Sequence, residues 1–443
     1  MVKIKENNKL WAIHSWVGLY AGVIIAFLSI TGAAALCRVE LDHVFNPHLR
    51  SVTPEGRQLA MTPVVEKVKA QHPDKVLFEV ELPVSATGSW NIRLLPKEQR
   101  RLFPIFWEVF VNPYTGEILG ERNYYKSFTY YLRNIHVRFY EGFYGRQIVG
   151  LAGIALLIST VTGLLIYGRF MKKRFFGTIR KKNLRVSQAD YHKLIGMLAL
   201  VFNLMIAITG AWLGLQGYLQ KWLNIERPNT FKLIEKPYSK EEDIALTFDF
   251  DSIYLASRTH FPQLMPVIIR PSTNGDGVVE VIGDVPKQVY ERNSNKIVLS
   301  KDNYQPQFIY NISHDNAGAK LFYVQESLHF GDYGGLALKL LYGVLSLTSG
   351  FLALSGFIVY LERTRKKRFE KPKFVELRPL LLRWTAGILG TCVIIGILSG
   401  IWGIGIPTLV VVILFYGFIL LILLKTVFGR IKRRIAKLNN QIT

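Results

Sequence analysis

Apolar residues along this chain gather into long runs, separated by stretches where polar and apolar positions mix or alternate. Six runs approach the roughly 20 residues needed to cross about 30 Å of hydrocarbon at about 1.5 Å per helical residue. They are Leu10–Leu36, Ile148–Tyr167, Leu194–Leu215, Leu336–Tyr360, Leu381–Trp402 and Ile406–Leu424. The first is longer than the apolar region of a secretory signal, so it reads as an uncleaved signal-anchor, although Gly32–Ala35 could mimic a cleavage site. Two long segments of mixed character separate the first four runs. In the first, Thr62–Ala70 has helical spacing, Val76–Leu82 and Trp90–Leu95 alternate like strands, and Phe106–Arg122 reads as two strands around an Asn-Pro-Tyr-Thr-Gly turn. In the second, strands are predicted at Val267–Arg270, Val278–Ile282, Gln288–Arg292 and Lys296–Ser300. The predicted class is an α-helical polytopic membrane protein of about six spans with two small α+β domains outside the bilayer.

That pattern divides the chain into a tail and first span (1–36), an outer domain (37–145), a second span (146–168), a loop (169–193) and a third span (194–215). A second outer domain (216–335), a fourth span (336–361), another loop (362–380), a hairpin of two spans (381–427) and a tail (428–443) follow. Charge then orients the chain. Of the formal net charge of +23, the N-terminal tail, the Arg169–Lys193 loop, Glu362–Arg383 and Lys425–Thr443 hold +22, whereas the two long segments are near neutral. Basic alternate loops are the positive-inside signature, which puts both termini in the cytoplasm and both long segments outside. So basic a chain would suggest nucleic acid as a partner, but this placement points to anionic headgroups of a lipid bilayer instead. The two cysteines, Cys37 and Cys392, are not expected to pair, and neither lies in a CxxC or CxxCH pattern, so covalently attached haem is not expected.

The runs also repeat. The first reads HSWVGLYAGVIIAFLSITGAA from His14 and the third HKLIGMLALVFNLMIAITGAW from His192, with Gly18 and Gly196 four residues on and Thr31-Gly32 and Thr209-Gly210 at the far end. From His136 and His329 the chain matches again without gaps: Tyr140 with Tyr333, Gly142 with Gly335, Arg146 with Lys339, Gly150 with Gly343, Thr162-Gly163 with Ser355-Gly356, and Tyr167 with Tyr360. A tandem duplication of a helix–outer domain–helix unit accounts for this. The terminal hairpin has no counterpart.

Nine histidines are present, and five of them (His43, His48, His72, His260 and His314) show no ligand spacing. The other four sit at matching offsets, His14 and His192 at the inner face and His136 and His329 on the outer side. Imidazoles at a bilayer edge need a partner, and packing alone does not require the same ring four times. Two such rings on facing helices can supply both axial ligands of one b-type haem, which gives one haem at His14/His192 and a second at His136/His329. Gly18 and Gly196 lie one turn from their histidines and leave room either for a macrocycle or for close helix packing. The Thr-Gly and Ser-Gly pairs read as helix contacts. A second helix unbroken from Tyr130 to Tyr167 would span about 57 Å and lift His136 to or above the outer surface, unless Gly142 and Gly145 break it.

The segments HSWVGL…ITG, NPYTGEILG and IHVRFYEGFYGRQIVGLAG…VTGLLIYGR resemble the PepSY-associated transmembrane proteins over about Leu10–Arg363. These are bacterial inner-membrane proteins, often iron-regulated, that include haem-containing ferric-siderophore reductases. Asn112 stands where that family's turn has Asp, and the second outer domain lacks the turn. The resemblance implies PepSY-like periplasmic domains and a reductase that passes electrons from a cytoplasmic or membrane donor through haem b to a periplasmic ferric siderophore or other ferric chelate. No flavin fingerprint, P-loop, HExxH or nucleophilic triad is visible, so any flavin or NAD(P)H would belong to the donor. Two other readings stay open: a non-redox PepSY protein that binds or regulates a periplasmic partner, and a permease for iron or its chelate. Against the permease, the repeats are parallel and the runs hold no midplane acidic or broken-helix site.

Overall fold

The computed structural model describes residues 2–97, 106–171, 178–180, 182–232 and 237–364. The predicted fifth and sixth spans, the C-terminal tail and Cys392 lie outside the described residues. The first half runs α1 (Val2–Leu36), α2 (Arg38–Phe45), α3 (Pro47–Arg50), α4 (Met61–Gln71), β1 (Lys75–Glu81), β2 (Trp90–Pro96), β3 (Trp107–Val111), β4 (Ile118–Asn123), α5 (Phe128–Arg138) and α6 (Gly142–Met171). The second runs α7 (Leu184–Leu198), α8 (Leu200–Trp222), α9 (Lys240–Ala245), α10 (Phe250–His260), β5 (Met265–Pro271), β6 (Val278–Asp284), β7 (Asn295–Ser300), β8 (Pro306–Tyr310), α11 (Ala317–Phe330) and α12 (Gly335–Thr364).

Among the described residues, four helices are long and apolar enough to cross a membrane: Lys9–Leu36, Tyr144–Gly168, Leu200–Trp222 and Asp332–Arg363. They pack as a bundle in which α1 lies against α12 and α6, and α8 lies against α6. Small residues bring α6 and α8 together, as the membrane environment favours. A Cβ on Gly153 would stand 2.6 Å from the Ala211 nitrogen, and one on Gly214 would stand 2.3 Å from the Gly150 Cα.

Two of the expected long helices are broken. Past α5 the chain enters the left-handed region at Phe139 (φ 48°), Tyr140 (φ 63°) and Gly142 (φ 56°), then restarts as α6. Gly145 permits this reversal, because a Cβ there would lie 1.7 Å from the Arg138 carbonyl oxygen. His136 therefore rides a short helix folded back beside the end of α1, not a continuous shaft rising out of the bilayer. The third run divides at Ala199 (φ −97°, ψ 10°), so that α7 carries His192 and α8 forms the span.

The two outer segments join into one antiparallel sheet of eight strands, ordered β4-β3-β2-β1-β5-β6-β7-β8. The seam is the pairing of Val80 with Ile269 and Glu81 with Ile268. One face is apolar. Val64, Val65 and Val68 of α4 and Phe250 and Ile253 of α10 pack on Val80, Ile92, Val109, Ile269, Val281 and Ile297. The two helices also cap across the seam: Asp251 accepts from the Met61 and Thr62 N–H groups (2.8 and 3.0 Å), and the Thr62 hydroxyl accepts from the Phe250 N–H (2.9 Å).

The opposite face carries a cross-strand ladder of alternating sign. Arg122 bonds Glu108 (2.8 Å), Arg93 reaches Glu108 (3.3 Å) and Glu79 (2.6 Å), Arg270 holds Glu79 (2.6 Å), and Lys296 holds Glu280 (2.6 Å). Opposite charges on neighbouring strands stabilise the pairing. Strand prediction in the second half was less accurate. Gln288–Arg292 is loop, bracketed by left-handed Lys287 (φ 68°) and Asn293 (φ 56°), and the fourth strand is β8 at Pro306–Tyr310.

Candidate functional site

The four matched histidines form two facing pairs. The rings of His14 (α1) and His192 (α7) have centroids 6.2 Å apart, and those of His136 (α5) and His329 (α11) are 6.5 Å apart. Each pair takes one ring from each half. Two imidazoles bound on opposite sides of one metal, with metal–nitrogen bonds of about 2.0–2.1 Å and about 1.1 Å more to each ring centre, have centroids ~6.3 Å apart. Both pairs are set at that spacing.

Every Nδ1 is tied to a hydroxyl from its own half. His14 bonds Thr162 (3.1 Å) and the Ser159 carbonyl (3.0 Å); His192 bonds Ser355 (2.9 Å); His136 bonds Thr31 (3.2 Å); His329 bonds Thr209 (2.9 Å). The hydroxyl protons are already committed. Thr162 donates to the Ile158 carbonyl, Thr31 to Phe27, Thr209 to Met205 and Ser355 to Leu352. Each hydroxyl oxygen therefore accepts from an Nδ1–H, which fixes the tautomer and leaves Nε2 without a proton, the form in which an imidazole can bind a metal. The outer rings on α5 and α11, outside the spans, are neutral: burial pushes His136 down to about 4 and His329 down to about 3.

The glycine after each hydroxyl seats the ring. A Cβ would stand 2.8 Å from His136 Cε1 at Gly32, 3.2 Å from His14 Cε1 at Gly163, 3.3 Å from His329 Cε1 at Gly210 and 3.4 Å from His192 Cε1 at Gly356. The Thr-Gly and Ser-Gly pairs thus act on the histidines, a role the sequence reading gave to helix contacts. Their equal offsets from the histidines were the available signal. A Cβ on Gly18 would meet nothing within 4 Å, and one on Gly196 would stand 3.6 Å from Leu352 Cδ2.

Beside the outer pair lies a cavity walled by Ile25, Leu28, Val149, Leu156, Phe202 and Ile206, with Arg38, Arg133, Arg146 and Glu326 also on its lining. Its volume is about 250 Å³, just below the roughly 300–1,000 Å³ of common small-molecule sites. A second, more polar chamber of about 670 Å³ adjoins it, sharing Leu36, Arg38, Glu326 and Phe330 and reaching up to Glu81 and Asn91 on the charged sheet face. Among the described residues no three His, Cys, Asp or Glu gather as a metal site. A metal held by two rings must bring its remaining ligands, as one inside a macrocycle does, so the donor set fits haem. The other histidines take local roles: His43 bonds the Val39 carbonyl (3.0 Å), and His72 lies 3.2 Å from Glu121.

A profile for the PepSY-associated TM region matches residues 11–363. An uncharacterised protein of Pseudomonas aeruginosa is 26% identical over 261 residues, covering 52% of this chain and 63% of that one. The alignment thus spans less than two thirds of that relative.

Proposed function

Since the chain belongs to the PepSY-associated transmembrane family, we propose that it is a haem-dependent reductase of the bacterial inner membrane, moving electrons from a cytoplasmic-side donor to a periplasmic ferric siderophore or other ferric chelate. The observation that carries this reading is the pair of histidine pairs, each spaced for two axial ligands with Nε2 left bare. On this reading the basic loops face the cytoplasm, the eight-stranded sheet lies in the periplasm, six spans cross the bilayer, and the two halves derive from one duplicated unit. Bound haem b would supply one-electron chemistry at its iron.

The chain's own residues do the rest. His14 and His192 would hold the inner group and His136 and His329 the outer one. The hydroxyls of Thr162, Ser355, Thr31 and Thr209 orient those rings and raise their basicity. Along α1, His14 and the Thr31 hydroxyl that holds His136 are 17 residues apart, about 26 Å of rise, so α1 alone links the two sites. The polar chamber beneath the sheet is where a bulky acceptor would dock.

An absorption spectrum of the purified protein from haem-replete cells tests this. The expected result is a reduced b-type α-band with two haems per chain. His136→Ala should remove the outer haem and keep the inner, and His14→Ala the reverse. A colourless protein would end the reading and leave the non-redox and permease alternatives; loss of both haems in either variant would refute the pairing. A finer test is Thr209→Val, which removes the acceptor of the His329 Nδ1–H. A roughly 10–100-fold loss of outer haem affinity is expected, with the inner site unchanged in the same titration.

A further inference from the structure

The lining of the outer cavity is out of electrostatic balance. Arg38, Arg133 and Arg146 reach it from the start of α2, from α5 and from α6, and among the described residues the only carboxyl on the same lining is Glu326. None of the three makes an ion pair among the described residues; Arg146 donates to the Leu213 carbonyl (2.9 Å) and to Gln216 Oε1 (3.2 Å). By contrast, the guanidiniums on the sheet are matched: Arg93 contacts three glutamates, and Arg122 contacts Asp42 and Glu108. Glu326 lies within electrostatic reach of all three and Asp332 of Arg38, but three cations beside one lining carboxylate are costly unless something further anionic joins them.

The arrangement is also directional. Arg133 stands three residues before His136, one helical turn away on the same face, and Glu326 stands three residues before His329. At matching offsets in the two halves, Arg38 corresponds to Gln216 and Arg146 to Lys339. Lys339 is spent on Glu40 (2.8 Å) and Asp332 (3.1 Å), so the arginines without an ion pair all come from the first half.

Resting on the haem reading above, we infer that Arg38, Arg133 and Arg146 form a carboxylate clamp that binds the two propionates of the outer haem and fixes its orientation. Guanidinium groups suit this because they bind carboxylates through paired, charge-assisted hydrogen bonds. Two propionates would bring the cavity close to neutrality beside Glu326.

The test uses full-length protein as purified with haem, measuring the rate at which apomyoglobin captures the outer haem. Arg38→Gln, Arg133→Gln and Arg146→Gln are each expected to speed release about tenfold or more, the usual scale for one charge-assisted bond. Arg38→Lys should fall between, and Arg50→Gln, whose arginine is paired with Asp42 (2.8 Å), should match wild type. Haem dimethyl ester, with its carboxylates blocked, should exchange into the outer site at least tenfold less well than protohaem. Unchanged release in all three glutamine variants, or equal uptake of ester and diacid, overturns the clamp while the haem reading stands. Absence of haem from the outer site of wild type overturns the haem reading itself.

Discussion

Glu79→Ala should cost the outer domain about 3 kcal/mol, the low end of the range for removing one partner of a buried ion pair. Glu79 is only 2% exposed and sits at the seam, bonded by Arg93 from its own half (2.6 Å) and by Arg270 from the other (2.6 Å). Its loss leaves Arg270 without its main counter-charge at the strand pair that joins the halves. The low end applies because Arg93 keeps Glu81 and Glu108, and the Arg270 side chain is one-third exposed. For a domain of about 200 residues this corresponds to a fall of roughly 6–12 °C in unfolding midpoint. Thermal unfolding of full-length protein, followed by fluorescence of the outer-domain tryptophans, would show it; an unshifted midpoint would mean the ladder contributes nothing to joining the halves.

Gly32→Val should abolish the outer histidine pair while leaving the inner one intact. The first side-chain carbon would already stand 2.8 Å from His136 Cε1, and valine adds two methyls on a stiff stem. The imidazole has to swing away, which breaks the Nδ1 bond to Thr31 and moves the ring from its place facing His329. The expected spectrum has half the wild-type haem, with the inner band unchanged. Gly168→Ala, where nothing lies within 4 Å of the new carbon, should be indistinguishable from wild type. Full outer occupancy in Gly32→Val would show that this glycine does not seat the ring.

Much of this was legible in the chain. Spans follow from apolar run length, and the facing histidines follow from their matched offsets. The sheet of the first half followed from alternation and from the Asn-Pro-Tyr-Thr-Gly turn. What escaped is what the chain does not encode locally. Phe139 and Tyr140 adopt left-handed backbone that nothing in their side chains signals. The β1–β5 seam joins residues 80 and 269, and two strand edges carry no mark of their eventual neighbour. Gln288–Arg292 has strand-like composition, yet Gln288 is drawn instead into bonds with Asn311 (2.9 Å) and Asn295 (3.0 Å) in a loop. The orienting role of Thr31 and Thr209 was hidden because a Thr-Gly pair in a membrane helix is more often a packing motif.

The crossed origin of the pairs sets a timetable for biosynthesis. His14 is made before its facing ring on α7, and the outer pair is incomplete until His329 on α11 has been made. Neither half contains both rings of a pair, so a chain stalled before His192 holds neither pair, and one stalled before His329 holds only the inner one. Completion of the second half is thereby a built-in checkpoint, and the last site to close is the one beneath the sheet, where the two halves are also sewn together.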